Sequence, residues 1–292
     1  MRQSYLRDGQ GSLSSYANRL SFYDNCTFAR WNHVSKEYFC RMETQQRQFI
    51  LSLLAYAALR DISLTTLCKL ANINLASLKK DEAYPITSRQ VDDLWFHASQ
   101  LSNDPLFGLH FGESLQLSAL GVVGEVIKNS RTVGEAVQVA ATLTHLVNEF
   151  LGMEVTKSKK SFGVRLVRLK KDGNVFTLNQ MTDLLLAFVI RELDGLLLEK
   201  VRPLSVSLPH DASRVTEYER VLRCRPAKKK DEAIIHFDTM YWDEPIISAN
   251  YELQKFLLEK VNGIRKKTTE RFSERVVQHL MANAYLGILS LE

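Results

Sequence analysis

Histidine and carboxylate residues at helical spacing are the first side chains whose types could do chemistry. His145 and Glu149 lie four residues apart in a segment with a helical pattern, and His110 and Glu113 lie three apart. Residues at these spacings share one helix face, where an imidazole and a carboxylate could ligate a transition metal. No third ligand is suggested near either pair. We therefore interpret both as polar pairs at the edge of the core and predict no metal site.

A second group of candidate residues follows a strongly apolar run. Arg191, Glu192 and Asp194 come directly after LLLAFVI, Leu184–Ile190. Charges at the end of a helix usually face solvent. Turned inward, they could orient a polar ligand.

Sequence motifs of catalysis are absent. The chain lacks a GxSxG elbow, a P-loop, an HExxH pair and a GxGxxG loop after a strand, the local patterns that hold a nucleophile, a phosphate or a catalytic zinc. The four cysteines are scattered, without the spacing of a zinc site or a disulfide framework. We predict that the protein is not an enzyme and uses no cofactor.

The composition is typical of a globular cytoplasmic protein. The 292 residues are 45% hydrophobic and 24% charged, and the net charge of +5 permits a polyanionic partner without requiring one. The N-terminal residues lack the apolar segment of a signal peptide, and the longest apolar run is too short to span a bilayer. We expect a cytoplasmic location and no membrane partner.

The elements that must position these residues are helical in the first half of the chain. From Gln46 to Val147, apolar residues recur every three or four positions. Thr87 or Ser88 is a predicted N-cap of one helix, and Ser130 or Thr132 of another.

The spacing of apolar residues changes after Phe150 from a helical to an alternating pattern. EVTKSKKSFGVRLVRL predicts a hairpin with its turn at Lys157–Ser161, PLSVSLPH alternates like a strand, and Ala233–Asp238 predicts another strand. Between them lie a buried helix at Thr182–Glu199 and an amphipathic helix in SRVTEYERVLRC. The sequence therefore predicts an α+β fold, with a helical first half and a small sheet covered by helices in the second half.

The segment LTTLCKLANINLASLKK, Leu64–Lys80, has the pattern of a DNA-binding helix-turn-helix. The recognition helix of such a motif needs polar side chains that reach the edges of the DNA bases. The second helix offers little more than Ala76, Ser77 and Lys79 before KDEAYP, which brings two acids and Pro85. We interpret this segment as a structural helix pair.

Three longer segments share the residue pattern of a known family. They are Asn103–Leu143, Arg202–Ile246 and the closing FSERVVQHLMANAYLGILSLE. Their most specific pieces are Asp104-Pro105 with Gly108 and Gly112, Leu120-Gly121 before a helix, Pro203 with Val206 before His210, and Phe237-Asp238 followed by Pro245. In these residues the chain resembles AraC-type bacterial transcription regulators of the subgroup with an arabinose-binding-type N-terminal domain. The resemblance runs in collinear order from Arg47 to Glu292.

The resemblance implies a division of the chain. Such regulators carry an N-terminal domain that senses an effector and dimerises, then two helix-turn-helix units that read DNA. We expect an irregular extension at 1–41, an effector-binding and dimerisation domain at 42–249, a linker helix at 250–269 and an incomplete helix-turn-helix at 270–292. Phe272–Met281 resembles the first helix of the first unit, and the sequence as given is expected to end inside that unit.

The implied function is control of transcription in response to a small molecule. We expect the effector between the helix Thr182–Glu199 and the adjacent sheet, with His145, Glu149 and Arg191 as polar contacts. Amino acids, sugars and lipophilic acids all remain open as effectors.

The helix that begins near Asn250 is expected to carry two further interfaces. An apolar stripe is the predicted seam of a homodimer, or the face of a last helix packed on its own domain: Leu253, Phe256, Leu257 and Val261. Basic residues beyond it are predicted contacts to the DNA backbone: Lys266, Lys267, Arg271 and Arg275. DNA binding is expected of a full-length form and is expected to be weak or absent in this chain. The alternative is a stand-alone interaction module that pairs with full-length regulators and does not read DNA.

Overall fold

The computed structural model describes residues 46–80, 84–169, 173–212, 214–228, 232–250 and 252–259. Every described residue belongs to the unit Arg41–Glu292. The predictions for the extension at 1–41, for Val261 and for the basic residues from Lys266 to Arg275 lie outside the described residues.

The first part of the described chain is helical, as its periodicity predicts. Helix α1 covers 46–59. It is followed by α2 (Leu64–Leu70), α3 (Leu75–Lys80), α4 (Ser88–Leu101), α5 (Phe107–Ser114), a 3-10 turn at Leu117–Leu120, α6 (Val122–Lys128) and α7 (Val133–Val147). Two predicted N-caps are confirmed, because Thr87 forms a capping box with Gln90 and the Thr132 hydroxyl accepts the Glu135 N–H.

The helix-turn-helix-like segment forms the predicted helix pair, α2 and α3. Leu67 and Leu78 are fully buried in the core. Arg47 on α1 donates hydrogen bonds from Nε to the Leu78 carbonyl at 2.8 Å and from Nη2 to the Lys79 carbonyl at 3.1 Å. These bonds satisfy carbonyls that the end of a short helix leaves without partners.

A five-stranded sheet forms the second layer, in the order β1-β2-β5-β3-β4. Its strands are β1 (Leu151–Lys157), β2 (Ser161–Arg168), β3 (Ser205–Leu208), β4 (Ala227–Lys228) and β5 (Ala233–Asp238). The pairs β1–β2, β2–β5 and β5–β3 are antiparallel, and β3–β4 is parallel. The hairpin and both further strands are confirmed, and so is the α+β class.

The central helix, α8 (Val175–Leu197), begins seven residues before the predicted start at Thr182. The Asn174 side chain caps it by accepting the Phe176 and Thr177 N–H groups. Helix α5 packs closely on α8, because a Cβ at Gly108 or Gly112 would overlap backbone carbonyls of α8.

Two further helices complete the described residues. The amphipathic helix α9 (Val215–Leu222) forms as predicted. Helix α10 covers 252–259. Among the helices of these described ranges, none combines the length and apolar character needed to cross a membrane.

Candidate functional site

An apolar cavity with a volume of about 80 Å³ lies against α8. Helix α8 lines one side of it. The other walls come from the 3-10 turn, from α6 and α7, and from β1 and β2, through residues that include Leu117, Val123, Ile127, Ala136, Ala140, Met153 and Val164. The place where we expected an effector, between the central helix and the sheet, therefore contains a cavity, and α6 and α7 also enclose it.

Most polar groups in the cavity wall are occupied by their own backbone. The Thr144 hydroxyl donates to the Ala140 carbonyl at 2.6 Å. The Asn148 amide donates to the Thr144 carbonyl at 3.3 Å, and its oxygen accepts the Leu151 N–H at 2.7 Å. The carboxyl of Glu192 is the remaining polar group among the cavity-lining side chains that the structure describes.

Glu192 is held at the edge of this cavity. Its Oε1 accepts the backbone N–H of Leu117 at 3.0 Å. Burial raises the pKa of this carboxyl to about 7, although the Leu117 N–H and the positive charges of Arg191 and Lys128 act to lower it. Near neutral pH the carboxyl is therefore divided between its protonated and ionised forms.

A charged cleft adjoins the cavity. Its volume is about 460 Å³, and four residues line both spaces: Leu115, Leu117, Glu192 and Leu196. Polar side chains form the rest of the cleft wall, including Glu113, Gln116, Ser118, Lys128, Arg191 and Ser248. Glu192 thus lies at the boundary between a narrow apolar space and a wider polar one.

The acids around the cleft are paired with arginines. Glu113 accepts hydrogen bonds from Arg220 at 3.0 and 2.6 Å. Asp194 accepts two from Arg223, at 2.7 and 2.5 Å, and lies 3.6 Å from Arg191. The remaining basic group of the cleft wall, Lys128, is exposed and forms no ion pair with any residue that the structure describes. Arg191 lies within ion-pair distance of Asp194, so Lys128 is the cation of the cleft wall that no described acid pairs.

The predicted pair His145 and Glu149 does not share a helix face, and this prediction is wrong. Helix α7 ends at Val147, and Asn148 is extended. Glu149 lies beyond the helix and accepts the Ser88 hydroxyl at 2.6 Å. His145 is exposed, and neither residue lines the cavity. Within the described ranges, no group of three or more His, Cys, Asp or Glu residues is arranged to hold a metal ion.

Of the predicted polar contacts, Arg191 is the one that lines the cleft next to the cavity. Its Nε donates to the Glu113 carbonyl at 3.3 Å. Its side chain is 48% exposed. Its role in binding an effector stays a prediction, as do those of His145 and Glu149.

His110 bridges two acids and is not simply paired with Glu113. Its Nδ1 lies 2.6 Å from Asp104 Oδ2, and its Nε2 lies 2.8 Å from Glu217 Oε1. The hydrogen bond with Asp104 is the largest cause of a raised His110 pKa. The hydrogen bond from Arg220, with a smaller contribution from His110, lowers the pKa of Glu217 to about 2. This cluster ties α5 to α9.

A buried polar cluster around Tyr218, the residue that follows Glu217 in α9, was not predicted. The Tyr218 hydroxyl donates to Asp183 Oδ2 at 2.6 Å, and His210 Nε2 lies 3.0 Å from Asp183 Oδ1. Burial is the main cause of the raised pKa of Tyr218. No local sequence pattern joins these residues, because three different elements bring them together.

Helix α10, which lies in the predicted linker, is bonded to the connection between α6 and α7 and to the first turn of α7. Gln254 is buried, and its amide donates to Ser130 Oγ at 3.0 Å and to Glu135 Oε1 at 3.1 Å. The backbone N–H of Asn250 donates to Asn129 Oδ1 at 2.8 Å. This connection joins the two helices that carry part of the cavity wall.

The predicted seam lies mainly on the outer side of α10. Leu253 and Phe256 are 39% and 52% exposed. Leu257 is half-buried and packs against the core. The seam's role in a dimer stays a prediction.

Comparisons with known proteins show the family of this domain and a solved structure of similar fold. Residues 62–246 match the family described as the arabinose-binding domain of AraC transcription regulators, N-terminal. The crystal structure of the transcriptional regulator CdpR from Pseudomonas aeruginosa is similar, with a TM-score of 0.52 and 19% identity, over 74% of this chain and 68% of that one. At this identity the likeness concerns the fold. A comparison with curated protein sequences found no match.

Proposed function

Because the chain belongs to the family of arabinose-binding N-terminal domains of AraC transcription regulators, we propose that it senses a small-molecule effector and dimerises as part of such a regulator. The observation that carries this proposal is the apolar cavity. All of its lining residues except Phe49 lie within the family-matched range, and α6 and α7, which form part of its wall, are hydrogen-bonded to the predicted linker through Ser130 between them and Glu135 in α7. Enclosed apolar spaces with few polar groups are where proteins usually bind small molecules.

We propose that effector binding acts on the DNA-binding units by changing the position of the linker helix. An effector that enlarges the cavity displaces α6 or α7, and these helices flank the connection that holds Gln254 and Asn250. Ligand binding then shifts the population between linker arrangements, as a ligand does when it prefers one of two states. In a full-length form, helix-turn-helix units beyond the linker would read DNA. The exposed Leu253 and Phe256 are the proposed dimer contacts.

A cavity-filling substitution tests the sensing site. Ala140 lines the cavity from α7, and Ala140→Leu adds three carbon atoms to that wall. We expect it to abolish the thermal stabilisation given by any effector found in a screen of sugars, amino acids and lipophilic acids. Gln138→Leu, an exposed position on the same helix, is the matched control and should leave the stabilisation intact. An effector whose stabilisation survives Ala140→Leu would contradict the proposed site.

Hydrogen exchange tests the output. Effector binding should change the exchange rates of the amides of residues 252–259. Gln254→Ala removes one hydrogen bond to Ser130 in the α6–α7 connection and one to Glu135 in α7, so the effector should still bind without this change in exchange. Lys255→Ala, an exposed neighbour, should behave like the wild type. If effector binding leaves the exchange rates of residues 252–259 unchanged in the wild-type chain, the proposed coupling between the cavity and the linker is refuted.

A further inference from the structure

We propose that the effector is a small amphiphile with an anionic carboxylate head, whose short apolar tail fills the cavity and whose head lies in the charged cleft beside Lys128, Arg191 and Glu192. This inference rests on the proposed function, since it names the chemical class of molecule for that same site. It follows from the shape of the joined spaces, the polarity of their walls and the balance of charge at their boundary.

The volume of the cavity limits the tail. A cavity of about 80 Å³ corresponds to roughly five to eight water-sized groups, at about 10–15 Å³ for each. A linear or branched chain of that many carbon atoms fits. The cleft is larger, at about 460 Å³, and it accommodates a hydrated head group. The two spaces meet at Leu115, Leu117 and Leu196, so one molecule can occupy both.

The polarity of the cavity disfavours a sugar. A sugar carries a hydroxyl on nearly every carbon, and each buried hydroxyl needs a hydrogen-bond partner. Thr144 and Asn148 already bond to nearby backbone groups. Glu192 alone would then have to serve every hydroxyl within the cavity. An alkyl tail requires no partner and gains free energy by leaving water.

The charges at the boundary favour an anionic head. The acids beside Arg191 are already bonded to other arginines, Glu113 to Arg220 and Asp194 to Arg223. Lys128 forms no ion pair with a described acid, and Arg191 shares Asp194 with Arg223, so both cations can still bond to an anionic head. A carboxylate takes hydrogen bonds from both kinds of cation, and such charge-assisted bonds are stronger than neutral ones.

A protonated Glu192 can donate a hydrogen bond to the carboxylate head of the effector. Its carboxyl lies where the head would meet the tail, and burial favours its protonated form. A protonated Glu192 donates its proton to the incoming carboxylate in a hydrogen bond, whereas an ionised Glu192 repels it. Binding at neutral pH therefore takes up a proton at Glu192, and affinity falls as the pH rises.

Isothermal titration calorimetry of the whole 292-residue chain tests this assignment with three probes of one tail length: octanoate, octanol and octylamine. At pH 6.5 we expect octanoate to bind about tenfold or more tightly than octanol, the effect of one charge-assisted hydrogen bond. Octylamine should bind more weakly than octanol. Lys128→Met and Arg191→Met should each weaken octanoate severalfold and leave octanol unchanged. Lys159→Met, in the hairpin turn outside both spaces, is the charge-matched control.

Proton uptake is a second readout. Titrations in buffers of different ionisation enthalpy should show that octanoate binding takes up protons at pH 7. In Glu192→Gln this uptake should disappear while octanoate still binds, because the amide keeps the Leu117 hydrogen bond. Loss of uptake would not follow from a purely structural role of Glu192.

Several results would overturn the inference. Tighter binding of octylamine would assign a cationic head, and octanoate binding that survives Ala140→Leu would place the ligand elsewhere. Absence of octanoate binding would also refute it. If another class of molecule, such as a sugar, binds and loses its binding in Ala140→Leu, this inference fails while the proposed function stands. If no effector found depends on Ala140, the proposed function fails.

Discussion

Replacement of Glu192 by Gln should stabilise the protein at alkaline pH, although it removes a charged residue from a helix. The amide has nearly the same shape and can still accept the Leu117 N–H through its oxygen. It cannot ionise. The substitution therefore isolates the free energy of holding an ionised carboxylate at the edge of the apolar cavity.

The magnitude follows from the raised pKa. Between its ordinary value of 4.5 and about 7, the folded state retains a proton that the unfolded state releases. The stability of the wild type therefore falls as the pH rises through that window and is level above it. Linkage gives a Glu192→Gln advantage of about 1 kcal/mol at pH 5 and about 3 kcal/mol at pH 8. The second figure is an upper value, because the adjoining cleft gives the carboxyl some access to water.

Urea unfolding followed by circular dichroism at pH 5, 6, 7 and 8 measures this difference. Glu199→Gln, at an exposed position after the same helix, is the control and should leave the free energy of unfolding nearly unchanged. A Glu192→Gln advantage that does not grow with pH would refute the reasoning. So would a loss of stability at pH 8, which would mean that the ionised carboxylate is well solvated or paired.

Three further substitutions have expected outcomes. His110→Asn should lower the free energy of unfolding most below pH 6.5, and progressively less as the pH rises through the raised His110 pKa. The reason is that a histidine whose pKa is raised in the folded state stabilises the protein in its charged form. Urea unfolding at pH 5.5 and 9 checks this. Gly112→Ala should destabilise by about 1–3 kcal/mol, because its Cβ would overlap a backbone carbonyl of α8. The control Gly195→Ala meets no atom within 4 Å and should be neutral or stabilising in thermal unfolding. Tyr218→Phe should cost about 1–3 kcal/mol, because it removes a buried hydrogen bond to Asp183; an unchanged urea midpoint would contradict this.

The parts of the fold that follow from local sequence were predicted well. The strand Ala233–Asp238 has the predicted bounds, and the hairpin turns where polar residues interrupt two alternating runs. Thr87 and Thr132 cap their helices as expected. In each case the signal lies within a few residues, since alternation, helical periodicity and a capping side chain act over one or two turns.

The parts that depend on distant contacts were missed. Strand β4 has only two residues, both exposed, and exists through its pairing with β3. Glu149 lies outside α7 because the Asn148 side chain accepts the Phe150 and Leu151 N–H groups after the helix ends. Asparagine often bonds to nearby backbone in this way and so ends helices. A rule based on spacing alone places Glu149 on the helix.

The candidate site shows the same limit. The sequence marked Arg191, Glu192 and Asp194 as charges that follow an apolar run, and helix-end charges usually face solvent. Helix α8 ends at Leu197, two residues before its predicted end, and so includes these charges in its last two turns. The 3-10 turn at Leu117–Leu120 then covers Glu192 and donates a backbone N–H to it. Because that turn is about 75 residues away in sequence, only the folded chain shows that Glu192 separates an apolar cavity from a charged cleft.

The hydrogen bonds between α10 and the connection of α6 and α7 are few enough for a bound ligand to break them, and strong enough for their loss to change the position of α10. The Gln254 side chain donates one hydrogen bond to Ser130 in this connection and one to Glu135 at the start of α7, and the Asn250 backbone N–H donates one to Asn129. At about 0.5–1.5 kcal/mol for each bond, the loss of two of them amounts to about 1–3 kcal/mol. That is the range of typical couplings between an effector and a distant site. A tail that displaces α6 or α7 and breaks two of these bonds therefore weakens the attachment of the linker by an energy in that range, while the packing of Leu257 against the core remains.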